Sequence, residues 1–303
     1  MLDWLLDGDP SVAWQVERDL LGHTEEDWAG TRSKVASEGW GLALLDLQQP
    51  DGRWDGGLYG PKWTSTNYTL LQLRRLGLEP SNEQARRGVM VLLDQADWVE
   101  YGVTYFASMR FPEHCVNGMI LSLASYFEVD DPRVDGIAQG LIGKRLGDGG
   151  WNCNDYRGED THSSFHTTIS VLEGLRLWSR WRNSSYADEA FGTAHEFMFA
   201  HRLFRSHTTG EVINEHWQKF AFPPRWHYDI LRGLDHLRDM NTRDERAFEA
   251  IQAVEDARRS DGRWNVGPTY TGRLHFKMES GRVGGRWNTL RALRVLGWWK
   301  QSG

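Results

Sequence analysis

Three copies of one short turn constrain this chain more than any other feature. Asp51-Gly52-Arg53-Trp54, Asp148-Gly149-Gly150-Trp151 and Asp261-Gly262-Arg263-Trp264 share the pattern Asp-Gly-x-Trp. The Asp-Gly pair suits a tight turn, because glycine enters the left-handed region without steric cost. The Trp that follows sets a large apolar surface at a fixed distance from the turn. Each copy comes after a helix-like segment, such as LALLDLQQ (42–49) or AIQAVEDARRS (250–260), and precedes a loop and a Leu-rich stretch. A repeat architecture is the first expectation.

The Leu-rich stretches are SVAWQVERDLLG (11–22), TSTNYTLLQLRRLGL (64–78), HCVNGMILSLASYF (114–127), SSFHTTISVLEGLRLW (163–178), RWHYDILRGLDHLR (225–238) and RWNTLRALRVLGWW (286–299). Their apolar periodicity predicts helices. More polar helices are expected around 26–48, 82–96, 132–146, 185–203 and 243–260. Asp131-Pro132 reads as an N-cap followed by proline, and Ser81 and Thr242 stand where caps belong. No segment shows a period-two strand pattern. Apolar helices alternating with amphipathic ones suit a closed ring of helical hairpins, apolar set inside. The expectation is one all-α domain over residues 1–303, an α/α toroid.

Charge and composition narrow the function classes. The net charge is −7, and the 35 basic residues are scattered, whereas a nucleic-acid binder concentrates them on one face. The N-terminal MLDWLLDGDPSVAW has neither a basic region nor a long apolar run, so no signal peptide is expected. No apolar stretch approaches the ~20 residues of a membrane span. Two cysteines, Cys115 and Cys153, suit free thiols or ligands in a reducing compartment. These features together predict a cytoplasmic protein with no nucleic-acid partner and no integral membrane segment. Sixteen Trp, nine Tyr and twelve Phe point to aromatic packing motifs, an aromatic-lined cavity, or both.

The segment LDLQQPDGRW resembles the Gln–Trp repeat of squalene and oxidosqualene cyclases, whose α/α barrel is shared by the β subunits of protein prenyltransferases. GGWNC, HSSFHTTISVLEGL, PPRWHYDILRGL and RWNTLRALRVL are similar to stand-alone bacterial proteins of like length described as squalene-cyclase-like or prenyltransferase-like. The resemblance implies an (α/α)6 toroid of the terpenoid cyclase/prenyltransferase type. It also implies an enzyme acting on an isoprenoid or similar small hydrophobic molecule in the central cavity. One departure is Asn67, where the resemblance would place a His. The D-x-D-D acid motif of class II cyclases finds only Glu128-Val129-Asp130-Asp131, and Asp130-Asp131 with Asp135 loosely imitates a diphosphate-binding box. Acidic residues before a proline are ordinary cap chemistry, so squalene-type protonation is not expected.

In such a ring the N-terminal turns of the inner helices gather at one mouth. The catalytic candidates there are His166, His227, Asp229 and Asp155. Trp63, Asn67, Phe165, Arg225, Tyr228, Arg286 and Asn288 are the substrate-binding candidates. Prenyltransferases bind zinc through an Asp, a Cys and a His, which nominates Cys153, His162 and His227 as ligands to Zn, with His166 and Asp229 as substitutes. His162 and His166 share a helix face only if the helix begins at His162, and Asp160-Thr161 looks more like its cap. A hydrogen-bonded polar network without metal stands beside the zinc reading. His227 and Asp229, two apart, do not face each other on a helix. Trp54, Trp151 and Trp264 are expected to tie each outer helix to the next inner one. Two other functions stay open: a carbohydrate-active hydrolase or lyase, marked by stacked Trp and two carboxylates ~5–9 Å apart, and a non-catalytic toroid that binds a lipid or peptide.

Overall fold

The computed structural model describes residues 1–106, 109–153, 162–281 and 284–301. The chain is all-α apart from one small hairpin, and it forms two compact units. Unit 1 comprises Met1–Leu47, Arg75–Glu79 and Phe199–Gly303; unit 2 comprises Gln48–Arg74 and Pro80–Met198. No helix among the described residues is long and apolar enough to cross a membrane.

Unit 2 holds α5 (Thr66–Leu76, ending in unit 1), α6 (Glu83–Asp94), α7 (His114–Tyr126), α8 (Pro132–Gly143), α9 (Phe165–Arg182) and most of α10 (Asp188–Ala200). Its helices divide as the apolar pattern predicts. Every residue of α7 from Val116 to Ser125 is buried, as a helix apolar on all sides must be. In contrast, α6 buries Ala85, Gly88, Val89, Leu92 and Leu93, and α8 buries Val134, Ile137, Ala138 and Leu141. That i, i+3, i+4, i+7 spacing is the single stripe of an amphipathic helix. Helices α7 and α9 pack almost backbone to backbone. A Cβ on Gly118 would stand 2.7 Å from the Ser170 carbonyl, and one on Gly174 would stand 2.4 Å from the Gly118 carbonyl oxygen.

Unit 1 holds α1 (Leu2–Leu6), α2 (Pro10–Asp19), α3 (Glu25–Ser33), α4 (Gly39–Leu45), α11 (Ile230–Asp239), α12 (Phe248–Asp256) and α13 (Arg286–Lys300). A largely buried ion network joins α2, α11 and α13. The Arg294 guanidinium bonds Asp235 on α11, and on α2 it reaches Asp19 at 3.0 Å and Gln15 at 3.1 Å.

The three Asp-Gly-x-Trp turns are built alike. The N–H groups of Gly52, Gly149 and Gly262 donate to the carbonyls of Gln49, Leu146 and Arg259 at 2.9, 3.0 and 2.9 Å. All three glycines have positive φ, between 81° and 103°. The Trp54, Trp151 and Trp264 N–H groups donate to the hydroxyls of Thr66, Thr168 and Thr289 at 3.1, 3.0 and 3.1 Å. The indole N–H of Trp151 donates to Leu141 of α8, and that of Trp264 to Val254 of α12, both at 2.7 Å. Each of these two Trp residues therefore ties an amphipathic helix to the apolar helix after it, as expected.

Several local expectations are corrected. The span 26–48 breaks into α3, a 3-10 turn at Lys34–Ala36, and α4. The N-cap of α6 is Asn82 rather than Ser81: its side chain accepts the Ala85 N–H at 3.0 Å. Asp244, not Thr242, caps the turn that leads into α12. Strands β1 (Asp97–Val99) and β2 (Gly102–Thr104) pair antiparallel. Three residues are too few to show an alternation in sequence. Asp131 caps α8 through the Arg133 N–H at 2.9 Å, as expected. Asp130 and Asp135 are held by Arg182 at 2.9 and 3.0 Å, and Asp135 also accepts the Trp178 indole N–H.

His195 of α10 is buried, and that burial pushes its pKa down to about 4 from the ordinary 6.5. The unfolded chain takes up this proton near pH 6.5, whereas the folded chain takes it up only near pH 4. Its contribution is therefore intact above 6.5 and is lost as pH falls through that interval, by about 3 kcal/mol. In urea unfolding between pH 7 and 4.5, His195→Leu is expected to lose less stability than wild type by about that amount. Parallel declines in the two proteins would refute this role for His195.

Candidate functional site

The densest set of reactive side chains lies in unit 2, where the loop after Trp151 meets the first turn of α7. Three contacts position that loop. Trp151 is anchored to Thr168, the Ser164 N–H donates to the Trp151 carbonyl at 2.8 Å, and His114 Nδ1 lies 2.9 Å from the Asn152 carbonyl oxygen. Cys153 follows directly. Its sulfur accepts the backbone N–H of Cys115 at 3.2 Å and the Thr167 hydroxyl at 3.4 Å. Cys115 occupies the second position of α7, where N–H groups have no partner within the helix and the helix end is positive.

The two thiols lie close enough to shift each other's pKa. The hydrogen bond from Cys115 lowers the pKa of Cys153; Thr167 and the Cys115 N–H add to this effect against the burial cost. The same bond, together with burial, raises the pKa of Cys115 well above the ordinary thiol range. Of the two thiols, Cys153 is the more acidic. Both residues are half-buried.

Glu113 precedes Cys115 by two residues. Burial raises its pKa and Lys62 partly offsets the shift, while one carboxyl oxygen, Oε2, finds no hydrogen-bond partner among the described residues. Aromatic rings stand beside this acid. The Tyr68 hydroxyl donates to that of Tyr59 at 2.9 Å, and Trp63 meets Tyr68 edge-on at 4.7 Å. Tyr105 stacks on Tyr59 at 5.9 Å. Burial raises the Tyr59 pKa, and both Cys115 and Glu113 are close enough to add to that shift. Asn67 is fully buried at the start of α5, with its amide nitrogen 3.9 Å from the Met119 sulfur.

Unit 1 gathers the other candidates into a different constellation. The helix expected from Arg225 begins only at Ile230: Arg225 has φ 58°, His227 closes a turn on Pro224, and Asp229 is the N-cap. Asp229 accepts the N–H groups of Arg232 at 2.7 Å and Ala221 at 3.2 Å, with the Arg291 guanidinium 3.6 Å away. Burial raises its pKa, and Arg291 is the first of the groups that oppose the rise. These bonds identify Asp229 as a cap and a pin between segments. His227 lies between the Trp226 and Tyr270 rings at 3.8 and 3.7 Å.

Tyr228 donates to the Leu203 carbonyl at 2.7 Å, and Asn288 donates to Phe220 and Asn265 carbonyls at 2.6 and 2.9 Å. Arg286 donates to the Trp4 carbonyl at 2.9 Å and covers that residue's ring at 4.7 Å. Arg286, Tyr228 and Asn288 thus make contacts within the protein that account for them without a ligand.

Of the remaining candidates, Phe165 packs on Phe197 at 4.9 Å, and His166 is half-buried at the second position of α9. His162 is exposed and precedes α9, which begins at Phe165 behind Ser164, so His162 and His166 do not share a helix face. Asp155, and the Asp160-Thr161 pair read as a cap, lie outside the described residues. Among the described residues no three His, Cys, Asp or Glu side chains come together as ligands. The Cys153 sulfur instead takes N–H and O–H donors. Glu113, Thr167, Tyr59 and Tyr68, which the sequence did not single out, complete the cysteine cluster. The one local signal was Cys115 at a helix start.

No protein-family model matches the sequence, and no curated protein matches it. A crystal structure of a protein from Actinoplanes aligns over 96% of this chain and 89% of its own, at 15% identity and a TM-score of 0.48.

Proposed function

We propose that this chain is an (α/α)6 toroid of the squalene-cyclase and prenyltransferase type, and an enzyme acting on an isoprenoid-like hydrophobic small molecule. The Cys153 thiolate is its reacting group. The observation that carries this reading is the convergence of the Cys115 N–H and the Thr167 hydroxyl on one sulfur. A thiolate stabilised at a helix N-terminus is a nucleophile at neutral pH. Glu113, whose pKa burial raises, is the acid placed to exchange a proton with a leaving group. The neighbouring aromatic rings of Tyr59, Tyr68 and Trp63 make an apolar, electron-rich surrounding that suits an apolar substrate and any positive charge developing on it. The repeated turns and the alternation of buried and amphipathic helices support the toroid.

Peptide mapping after brief iodoacetamide treatment tests the site. Cys153 is expected to react about tenfold faster than Cys115 at neutral pH, with its half-maximal rate at a pH below that of an ordinary thiol. Linear prenyl alcohols or diphosphates are expected to protect it. In Cys153→Ala, the same compounds should still quench tryptophan fluorescence. Equal rates at the two cysteines would remove the thiolate, and absence of protection and quenching by every prenyl compound would remove the substrate class.

A further inference from the structure

Only two cysteines occur in the 303 residues, and they are 38 positions apart in sequence. The fold nevertheless places them in hydrogen-bond contact, both as free thiols. Cys115 sits on the rigid first turn of α7, and Cys153 sits in the loop held by Trp151 and Asn152. The Cys153 sulfur takes two donors, the Cys115 N–H at 3.2 Å and the Thr167 hydroxyl at 3.4 Å, with the second thiol beside it, an arrangement that suits an attacking and a resolving thiol.

We propose that Cys153 and Cys115 form a thiol–disulfide exchange site for a low-molecular-weight disulfide, with Cys153 attacking and Cys115 resolving. In the first step the Cys153 thiolate attacks one sulfur of the small disulfide. A Cys153 mixed disulfide forms, and one small thiolate leaves. In the second step Cys115 gives up its proton to solvent or to the departed thiolate and attacks the Cys153 sulfur. The Cys115–Cys153 bond forms as the second small thiolate leaves. Two protein thiols are oxidised and one small disulfide is reduced to two thiols, so atoms and electrons balance. Disulfide formation brings the two sulfurs to about 2.05 Å. Oxidation would also remove the nucleophile assigned above. The exchange itself does not depend on that substrate reading.

The test incubates the full chain with excess glutathione disulfide, quenches with acid, labels remaining thiols with a maleimide and records intact mass. Wild type is expected to lose two hydrogens and take no label. Cys115→Ser is expected to accumulate one glutathione, mapped to Cys153. In Cys153→Ser the reaction rate should fall by about tenfold or more. A wild-type protein that stays dithiol, carries a glutathione on each cysteine, or links to a second chain would overturn the proposal. The wild-type result decides even if a serine variant fails to fold. A disulfide that forms while prenyl compounds neither protect nor quench would retain the exchange site and reject the isoprenoid substrate. The reverse pattern would do the opposite.

Discussion

Gly118→Ala is expected to destabilise the protein by about 3 kcal/mol, although alanine is the better helix former. The added Cβ would stand 2.7 Å from the carbonyl carbon and oxygen of Ser170 and from the Val171 nitrogen. All three are backbone atoms of α9, so no side chain can rotate away and the helices must separate. Separation opens gaps along the buried α7 seam, and packed interiors tolerate such gaps poorly. Gly174→Ala meets the Gly118 carbonyl oxygen at 2.4 Å and should behave alike. Gly136 in α8 and Gly297 in α13 supply the contrast, because nothing lies within 4 Å of an added Cβ at either. There alanine should stabilise by about 0.5–1 kcal/mol, through helix propensity and a less flexible unfolded chain. Urea unfolding of the four variants reads the sign directly. Stabilisation at Gly118 would mean that α7 and α9 are not in backbone contact.

Arg294→Met should cost about 4 kcal/mol, because it leaves the Asp235 carboxylate without its main partner. Arg294 is held by Asp235, Asp19 and Gln15; Asp235 has the lesser partner Arg238, whereas Asp19 keeps its two bonds from Arg18. Burial alone would raise the pKa of Asp235, but Arg294 and then Arg238 hold it well below the usual carboxylate range. A depressed carboxyl contributes stability that is present above the unfolded value near 3.8 and lost as pH falls toward the folded value. Without Arg294 the folded value rises, so the acid-unfolding midpoint should move to higher pH. The double variant Arg294→Met/Asp235→Leu should recover about 1–3 kcal/mol, since the stranded charge is gone. Strict additivity of the two substitutions would show that the pair is not coupled.

Legibility in the sequence followed the range of the interactions. The Asp-Gly-x-Trp turns were readable because their hydrogen bonds close over three or four residues, as from Gly149 to Leu146. Helix α7 was readable from its apolar run, and Asp131-Pro132 as a cap, for the same reason. Where a local pattern competed with another, the reading failed. RWHYDILRGL has helical periodicity from its first residue, yet the left-handed Arg225 and the Asp229 cap delay the helix to Ile230. His227 and Asp229 looked chemical because of their types, but Asp229 is occupied by two backbone N–H groups and Arg291.

The sequence by itself determined a mostly helical chain with three alike turns, the all-round burial of α7, and the presence of two sulfurs. Those outcomes depend on backbone sterics and on side-chain period, which act between near neighbours. The tertiary structure decided which thiol is the more acidic, which acid stands beside it, and that Gly118 and Gly174 let two helices touch. Each of these depends on groups 38 or more residues apart that meet only through space, as Cys115 meets Cys153 and Gly118 meets Ser170. Proton placement and packing clearance are set by the first few ångströms around an atom, and only the folded chain defines them.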